Sequence, residues 1–364
     1  MVNKKKNIAL EHKVLEKLLV AFGPSNDVGD VTSVLKRELR DFVDFAEHDT
    51  IGNFYAVLEG NPSMPTTMYF GHADTIGFAV AHVTDRGQVY VRDITGLEAV
   101  RAKNLAGQQI VVKNRKTNEL HPLRFVNPVA IHLEQPADET DDQVILTPCE
   151  SYCQSSEVVY RRFNDGDFAV FMPNPSFRRS NSSYWIESAG LDDRLGLYTI
   201  VMLAKELAGR PKRVRGTAIF NATISEETAA NIAMSVAFYK RRPDMAINID
   251  VTPASDSIQT NNDDMIAITY GKNQLGHGPV LSRGSGVTDY LFMRLEQCAH
   301  HNDIPYQTEI GVSGTENVAT LSAGIPSALV SLPARYTHTD HELADMRDVA
   351  HTVKLLKEFH MLKR

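Results

Sequence analysis

The stretch GTAIFNATISEETAA, residues 216–230, ends a run of apolar and small residues in two adjacent acids, Glu226 and Glu227. Its first ten residues are too short and too uniformly non-charged for an exposed helix, and they predict a buried strand over 216–225. A helix is predicted to follow over 227–240. Paired carboxylates where a buried strand stops are costly unless something binds them, because a charge leaving water needs a partner.

Working outward, helical and strand patterns alternate on both sides of this stretch. A helix is predicted over 194–207, a strand over MAINID (245–250), a helix over 289–300, a strand near Tyr306, a helix over 316–323, the strand SALVSL (327–332) and a last helix over 343–359. Such alternation predicts an α/β fold, a mixed sheet flanked by helices on both faces. At the N-terminal end, Leu10, Val14, Leu15, Leu18 and Leu19 recur at helical spacing before the stop signal Gly23-Pro24. A second helix is predicted over 31–43, and short strands lead to TTMYFGHADTIGFAVAHV (66–83).

Between about 84 and 172 the pattern changes to short β-type runs, GQVYVRD, GQQIVVKN, LRFVNPVAIHL and DFAVFM, punctuated by Gly, Asn, Asp and Pro. This middle segment predicts an all-β module with a solvated acidic loop at 135–143. The expected organisation is one α/β domain made of 1–77 and 173–364, interrupted by an inserted β domain over 78–172.

Composition narrows the function class. The 364 residues are 43% hydrophobic and 23% charged, with a formal net charge of -7, which fits a globular protein and gives no electrostatic footprint for nucleic acid. The basic clusters Lys4–Lys6 and RPKRVRG (210–216) are short and isolated. Cys149, Cys153 and Cys298 lack the spacing of a zinc knuckle or redox pair, so a reducing compartment is expected. No apolar segment approaches the ~18 residues of a membrane span, and no secretory core follows the N-terminal lysines. The expected location is cytoplasmic, without a membrane partner.

Several polar residues share one kind of position. His72 and Asp74 follow the strand TTMYF, Glu226 and Glu227 follow the opening strand, Asp250 closes MAINID, and His338 follows SALVSL in the loop PARYTHTDHE. Asp192 and Asp193 stand at the head of a helix, where they fit equally well as an N-cap and a first-turn acid. Glu227 also fits as a first-turn charge, and His338 with His341 as an exposed loop pair. In open α/β sheets, however, ligands bind beyond the carboxyl ends of the strands. Carboxylates gathered there would repel one another unless a cation lay among them. Two histidines with three acids form an N/O donor set suited to Zn, Co or Mn, unlike an all-oxygen calcium site. Two divalent ions against three carboxylates leave roughly one positive charge over, which favours ionisation of a water near neutral pH.

The stretches GHADTIGF, AGLDDRLG, ISEET, NIDVTP, LGHGPV, IPYQ and PARYTH, in that order across nearly the whole chain, resemble the tetrahedral (TET-type) dinuclear metallo-aminopeptidases, a family that includes glutamyl and leucyl aminopeptidases. The resemblance implies that Asp192 bridges two divalent metal ions, with His72 and Asp250 completing one and Glu227 and His338 the other. It implies Glu226 as general base, taking a proton from the attacking water and passing it to the leaving amine. Asp74 is implied as the partner that orients His72. The implied reaction removes N-terminal residues from short peptides, with Zn or Co as the metals and Mn as an alternative. The implied fold is a zinc-exopeptidase-like core carrying an inserted β-barrel, PDZ-like dimerisation domain, and the implied assembly is a homo-oligomer, dimers building a hollow dodecamer.

This chain departs from the family pattern at Thr75, which replaces a second acid, at Thr228 in the run TAANIA, and at Glu316, where Asp is common. Competing classes are a related dinuclear amidohydrolase or deacylase, a glycoside hydrolase, in which the two histidines have no part, and a non-catalytic assembly scaffold. Arg283, Arg335 and His277 lie in loops near the expected crevice and are candidates for selecting acidic N-terminal side chains.

Overall fold

The computed structural model describes residues 10–84, 87–95, 105, 107–125, 144–148, 162–209, 215–229, 242–256, 267, 271–311 and 315–362. Cys149, Cys153, Lys4–Lys6, the loop 135–143, most of the RPKRVRG cluster and the expected helix beyond residue 229 lie outside the described residues.

The N-terminal part forms α1 (His12–Val20) and α2 (Gly29–Leu39), then β1 (Phe45–His48), β2 (Phe54–Leu58) and β3 (Thr67–His72). Six further strands follow: β4 (Gly77–Val83), β5 (Val89–Asp93), β6 (Gln109–Lys113), β7 (Leu120–Phe125), β8 (Val144–Pro148) and β9 (Phe168–Phe171). The chain then makes the hairpin β10 (Ser176–Arg179) and β11 (Tyr184–Ser188), α3 (Leu191–Ala208), β12 (Ala218–Thr223), a helical turn α4 (Glu226–Ala229) and β13 (Met245–Pro253). It closes with β14 (Val280–Gly284), α5 (Asp289–His301), β15 (Gln307–Gly311), α6 (Asn317–Ser322), β16 (Ser327–Arg335), β17 (Glu342–Asp345) and α7 (Met346–His360).

Among the described residues eleven strands form one sheet, in the order β1-β2-β12-β3-β13-β16-β17-β11-β10, with β14 and β15 branching from β16. Its centre, β12-β3-β13-β16, is parallel, and the flanking strands β1, β2, β17, β11 and β10 pair antiparallel. The parallel strands are buried throughout β12 and β3, as expected when both faces are covered. One face packs on α1, α2, α3, α5 and α7 through a core that includes Leu15, Leu35, Leu195, Leu295 and Val353. Burial of Val14, Leu15, Leu18 and Leu19 on α1 stabilises by about 2 kcal/mol per side chain and fixes that helix beside α3. On the other face Met68, Phe70, Ile219 and Ala246 pack with Ala319 of α6.

The six middle strands pair antiparallel in a closed ring, β4-β5-β8-β7-β6-β9. Inward-facing Phe78, Val80, Val91, Ile110, Val112, Leu123, Phe125 and Phe171 fill it, and the Phe78 ring lies edge-on to Phe125 and Phe171 at 5.3 and 5.4 Å.

Two expectations are corrected. The last helix does not begin at residue 343: residues 342–345 form β17, held between β16 and β11. Leu343 and Ala344 continue the apolar spacing of α7 by coincidence, but the side chain of Asp345 accepts the Arg347 N–H and caps the helix there. The strand MAINID does not close at Asp250 but runs on to Pro253, so Asp250 is interior to β13.

Candidate metal centre

The four parallel strands deliver their carboxyl ends to one edge. His72 closes β3 in register with Thr223 of β12, Asp250 lies opposite Ser331 of β16, and the loop after β16 carries His338. Side chains pointing past the ends of these strands can meet without distorting the sheet.

They do meet. His72 Nε2 lies 3.0 Å from Asp192 Oδ1, 3.8 Å from Asp250 Oδ1 and 3.9 Å from Glu226 Oε2. His338 Nε2 lies 3.4 Å from Asp192 Oδ2 and 3.5 Å from Glu227 Oε2. Asp192 therefore stands between the imidazoles and turns one carboxylate oxygen to each. His341 is not part of the cluster; it is exposed and paired with Asp340 at 2.6 Å.

Asp74 stands behind His72. The His72 Nδ1–H is placed to donate to the Asp74 backbone carbonyl at 2.9 Å, which leaves the Nε2 lone pair facing the cluster. The Asp74 carboxylate has a further task that the sequence did not suggest: Oδ1 accepts the Glu226 N–H and Oδ2 accepts the Glu227 N–H together with the Ser25 hydroxyl. It satisfies the free amides at the start of α4 and so fixes both glutamates at once.

Two triads have ligand atoms mutually within 4.8 Å, His72–Asp192–Glu227 and His72–Asp193–Asp250. Asp193 qualifies by distance, but its oxygens are engaged: Oδ2 accepts the His72 N–H at 3.3 Å and Oδ1 the Gly196 N–H at 2.9 Å. It pins the end of β3 to the first turn of α3. Arg194, the next residue, has a fully buried guanidinium that donates to the carbonyls of Leu18, Gly23 and Ala73. It ties α1 and the loop after β3 to α3, and it places a positive charge beneath the acids.

Burial dominates the electrostatics. It pushes Glu226 up to about 10, with repulsion from Asp250 and Glu227 outlasting the attraction of His72. Burial likewise raises Glu227 to about 8, reinforced by Asp192, and Asp250 to about 6. Burial disfavours charge on both imidazoles, yet the hydrogen bonds they donate to Asp192, with the attraction of the surrounding carboxylates, lift His72 well above its usual value and His338 to about 10. Asp192 is held well below the carboxylate range, because its bonds to the two histidines overcome its desolvation. Protons here stand in for positive charge that the acids require. The same side chains, deprotonated, offer three carboxylates and two imidazoles on one centre, a donor set that fits borderline divalent metal ions.

Glu342 was not foreseen. It is buried, its Oε1 accepts the His338 N–H at 2.8 Å, and its Oε2 accepts the Asp192 N–H at 3.1 Å. His338 and Tyr336 both adopt positive φ, 65° and 59°, a conformation that non-glycine residues keep only where neighbours enforce it. An acid four residues after His338 was the available signal.

The departures have local partners. Thr75 is buried and bonds the Gly23 carbonyl through its amide and hydroxyl. The Thr228 hydroxyl meets that of Ser225 at 2.8 Å, and Glu316 Oε2 accepts from Thr223 at 2.8 Å. Of the three residues considered for substrate selection, Arg335 is bound to Asp256, Arg283 to Asp289, and His277 is exposed.

Comparison with known proteins gives the family and the fold. The family model for M42 glutamyl aminopeptidase matches residues 52–355. A lysyl aminopeptidase of Pyrococcus furiosus is 30% identical over 329 residues, 88% of this chain and 87% of that protein. Among solved structures, the aminopeptidase APDkam598 of Desulfurococcus kamchatkensis superposes with a TM-score of 0.81 at 26% identity, covering 95% of this chain and 93% of that one. The TET1 peptidase of Pyrococcus horikoshii, described as assembling into a tetrahedron or a large octahedral shell, shares the fold with a TM-score of 0.78 at 23% identity over 96% and 98% of the two chains. The chain belongs to the M42 glutamyl aminopeptidase family and is a metal-dependent aminopeptidase.

Proposed function

We propose that this aminopeptidase holds two divalent ions, Zn or Co in preference to Mn, with Asp192 shared between them, His72 and Asp250 on one, and Glu227 and His338 on the other. One observation carries the reading: the two oxygens of Asp192 face two different histidines, at 3.0 and 3.4 Å. A carboxylate serving a single ion, or a helix cap, has no reason to be divided in this way.

Ions held by these residues would supply Lewis-acid polarisation of the scissile carbonyl and would lower the pKa of the attacking water. The chain's own groups do the rest. Glu226 Oε2, 3.9 Å from His72 Nε2 at the mouth of the cluster, takes the proton of that water and delivers it to the departing amine. His72, with Nδ1 committed to Asp74, cannot turn away from the centre. Asp74 holds Glu226 and Glu227 in fixed register so that the base and the ligand do not exchange places.

The ring of strands β4 to β9 is taken as the inserted domain, 78–172, a PDZ-like barrel through which dimers form and build a dodecamer. The shell-forming relatives with the same fold support this. A hollow shell built by this chain would admit short peptides and exclude folded proteins, and the same reading takes the enzyme as cytoplasmic.

The test is a set of aminoacyl-p-nitroanilides and matching N-acetylated peptides. Cleavage of the free-amine substrates should be abolished by a chelator and recovered with Zn or Co at two equivalents per chain, and acetylated peptides should resist. Restoration at one equivalent removes the dinuclear reading, and cleavage of acetylated peptides turns the assignment toward a deacylase.

A further inference from the structure

Three buried carboxylates grip the backbone of the candidate ligands, and two have ordinary structural reasons to do so. Asp74 satisfies the amides at the start of α4, and Asp193 satisfies Gly196 in the first turn of α3. Glu342 accepts from Asp192 ahead of the regular turns of α3, where the Asp192 backbone is still extended (φ -80°, ψ 110°), so it does not serve as a helix cap. It opens β17, opposite Ser188 of β11, and lies 150 positions from Asp192 in the chain. Burying a carboxylate costs several kcal/mol unless it is well bound, and both oxygens are spent on two amides: His338 at 2.8 Å and Asp192 at 3.1 Å.

Those amides belong to residues whose side chains face each other, His338 Nε2 being 3.4 Å from Asp192 Oδ2. The β11–β17 pairing brings these two segments side by side, and the one carboxylate at its end fixes the separation of the Asp192 and His338 backbones and holds His338 in its left-handed conformation. His72 and Asp250 are positioned differently, by β3 and β13 themselves and by Asp193.

We propose that Glu342 is a positioning residue that acts chiefly on the affinity of the ion held by Glu227 and His338, since it holds both His338 and Asp192, and acts less on the ion at His72 and Asp250, which it reaches through the shared Asp192 alone. The inference rests on the dinuclear reading above. Replacing one oxygen by an amide, as in Glu342→Gln, removes an acceptor from one of the two N–H groups without changing the volume of the side chain. Removal of groups that orient metal ligands typically lowers affinity by about 10–100-fold.

The experiment is calorimetric titration of the metal-stripped full chain with Zn²⁺, alongside metal analysis after dialysis, for the wild type, Glu342→Gln, Glu342→Ala and, as a marker of the affected ion, His338→Ala. The wild type should take up two ions. Glu342→Gln should lose about 10–100-fold in the step that His338→Ala abolishes and distinctly less in the other. Its kcat should recover at high Zn²⁺ with KM unchanged, which a general loosening of the fold would not produce. A folded Glu342→Gln protein that binds both ions with wild-type affinity overturns the proposal, as does equal weakening of both steps. Should Glu342→Ala fail to fold, the Gln variant decides alone. A wild type that binds fewer than two ions overturns the dinuclear reading instead, and this inference with it.

Discussion

Glu226 and Glu227 are neighbours with different surroundings, and the difference lies in what their oxygens meet. Glu227 is buried, accepting the Ile76 N–H at 3.1 Å through Oε1 and facing His338 through Oε2. Glu226 keeps a side chain 12% exposed at the mouth of the cluster. Glu226→Gln is therefore expected to lower kcat by about 10²- to 10⁴-fold while metal content and thermal unfolding stay near wild type, as metal analysis and calorimetry would show; an unchanged kcat removes Glu226 from the base role. Arg194→Met should behave oppositely. It removes the guanidinium from the carbonyls of Leu18, Ala73 and Gly23, of which Gly23 keeps Thr75 as a donor, and a buried carbonyl left unsatisfied costs about 1–3 kcal/mol, so the melting temperature should fall before any effect on substrate binding is seen. The residues that face the cluster were legible because each follows or lies near the end of a buried strand or heads a helix, although the end of β13 falls three residues beyond Asp250. Arg194, Asp193 and Glu342 were not, because their roles are contacts between segments far apart in the chain. A buried arginine after two aspartates looks, in sequence, like an ordinary helical surface charge.

At the level of elements, the parallel strands were readable from runs such as MAINID and SALVSL, and their edges were less so. Length and apolar content identify a buried strand, but the last residues of a strand and the first of a helix share the same small and apolar types, which is why β17 was absorbed into α7. The close approach of β3 to α3 was also hidden. A Cβ on Gly71 would lie 2.4 Å from Asp193 Oδ2 and 2.8 Å from the Ile249 carbonyl, so only glycine lets the aspartate reach the His72 amide. Gly71→Ala is expected to destabilise by about 1–3 kcal/mol through overpacking and also to cut kcat, since displacing Asp193 releases the end of β3 that carries His72. Thermal melts and steady-state kinetics on the same preparation check both effects. A variant with wild-type stability and turnover would show that β3 and α3 have more room than the Cβ contacts indicate.

For the whole molecule, the centre links stability to metal and to pH. Glu227, Asp250 and Glu226 have affinities for protons raised to about 8, 6 and 10, and His338 to about 10, so the metal-stripped folded chain binds more protons than the unfolded chain between pH 5 and 9. Stability then falls as pH rises through that window. The lowered carboxylates, Asp192 and Asp74, act with the opposite sign, but only below about pH 4, where the unfolded chain begins to take up protons that these groups refuse. Divalent ions that hold the acids ionised remove the proton uptake and add their own binding energy, about 2.7 kcal/mol when free metal is 100 times its dissociation constant. The loaded protein should therefore melt at a higher temperature than the stripped protein, and the gap should widen steadily from pH 5 to pH 9. Paired calorimetric scans across that range, with and without Zn²⁺, measure it directly. A gap that is constant with pH would mean that the acids of the cluster do not exchange protons for metal, and that charge balance at the ends of β3, β12, β13 and β16 is achieved by other means.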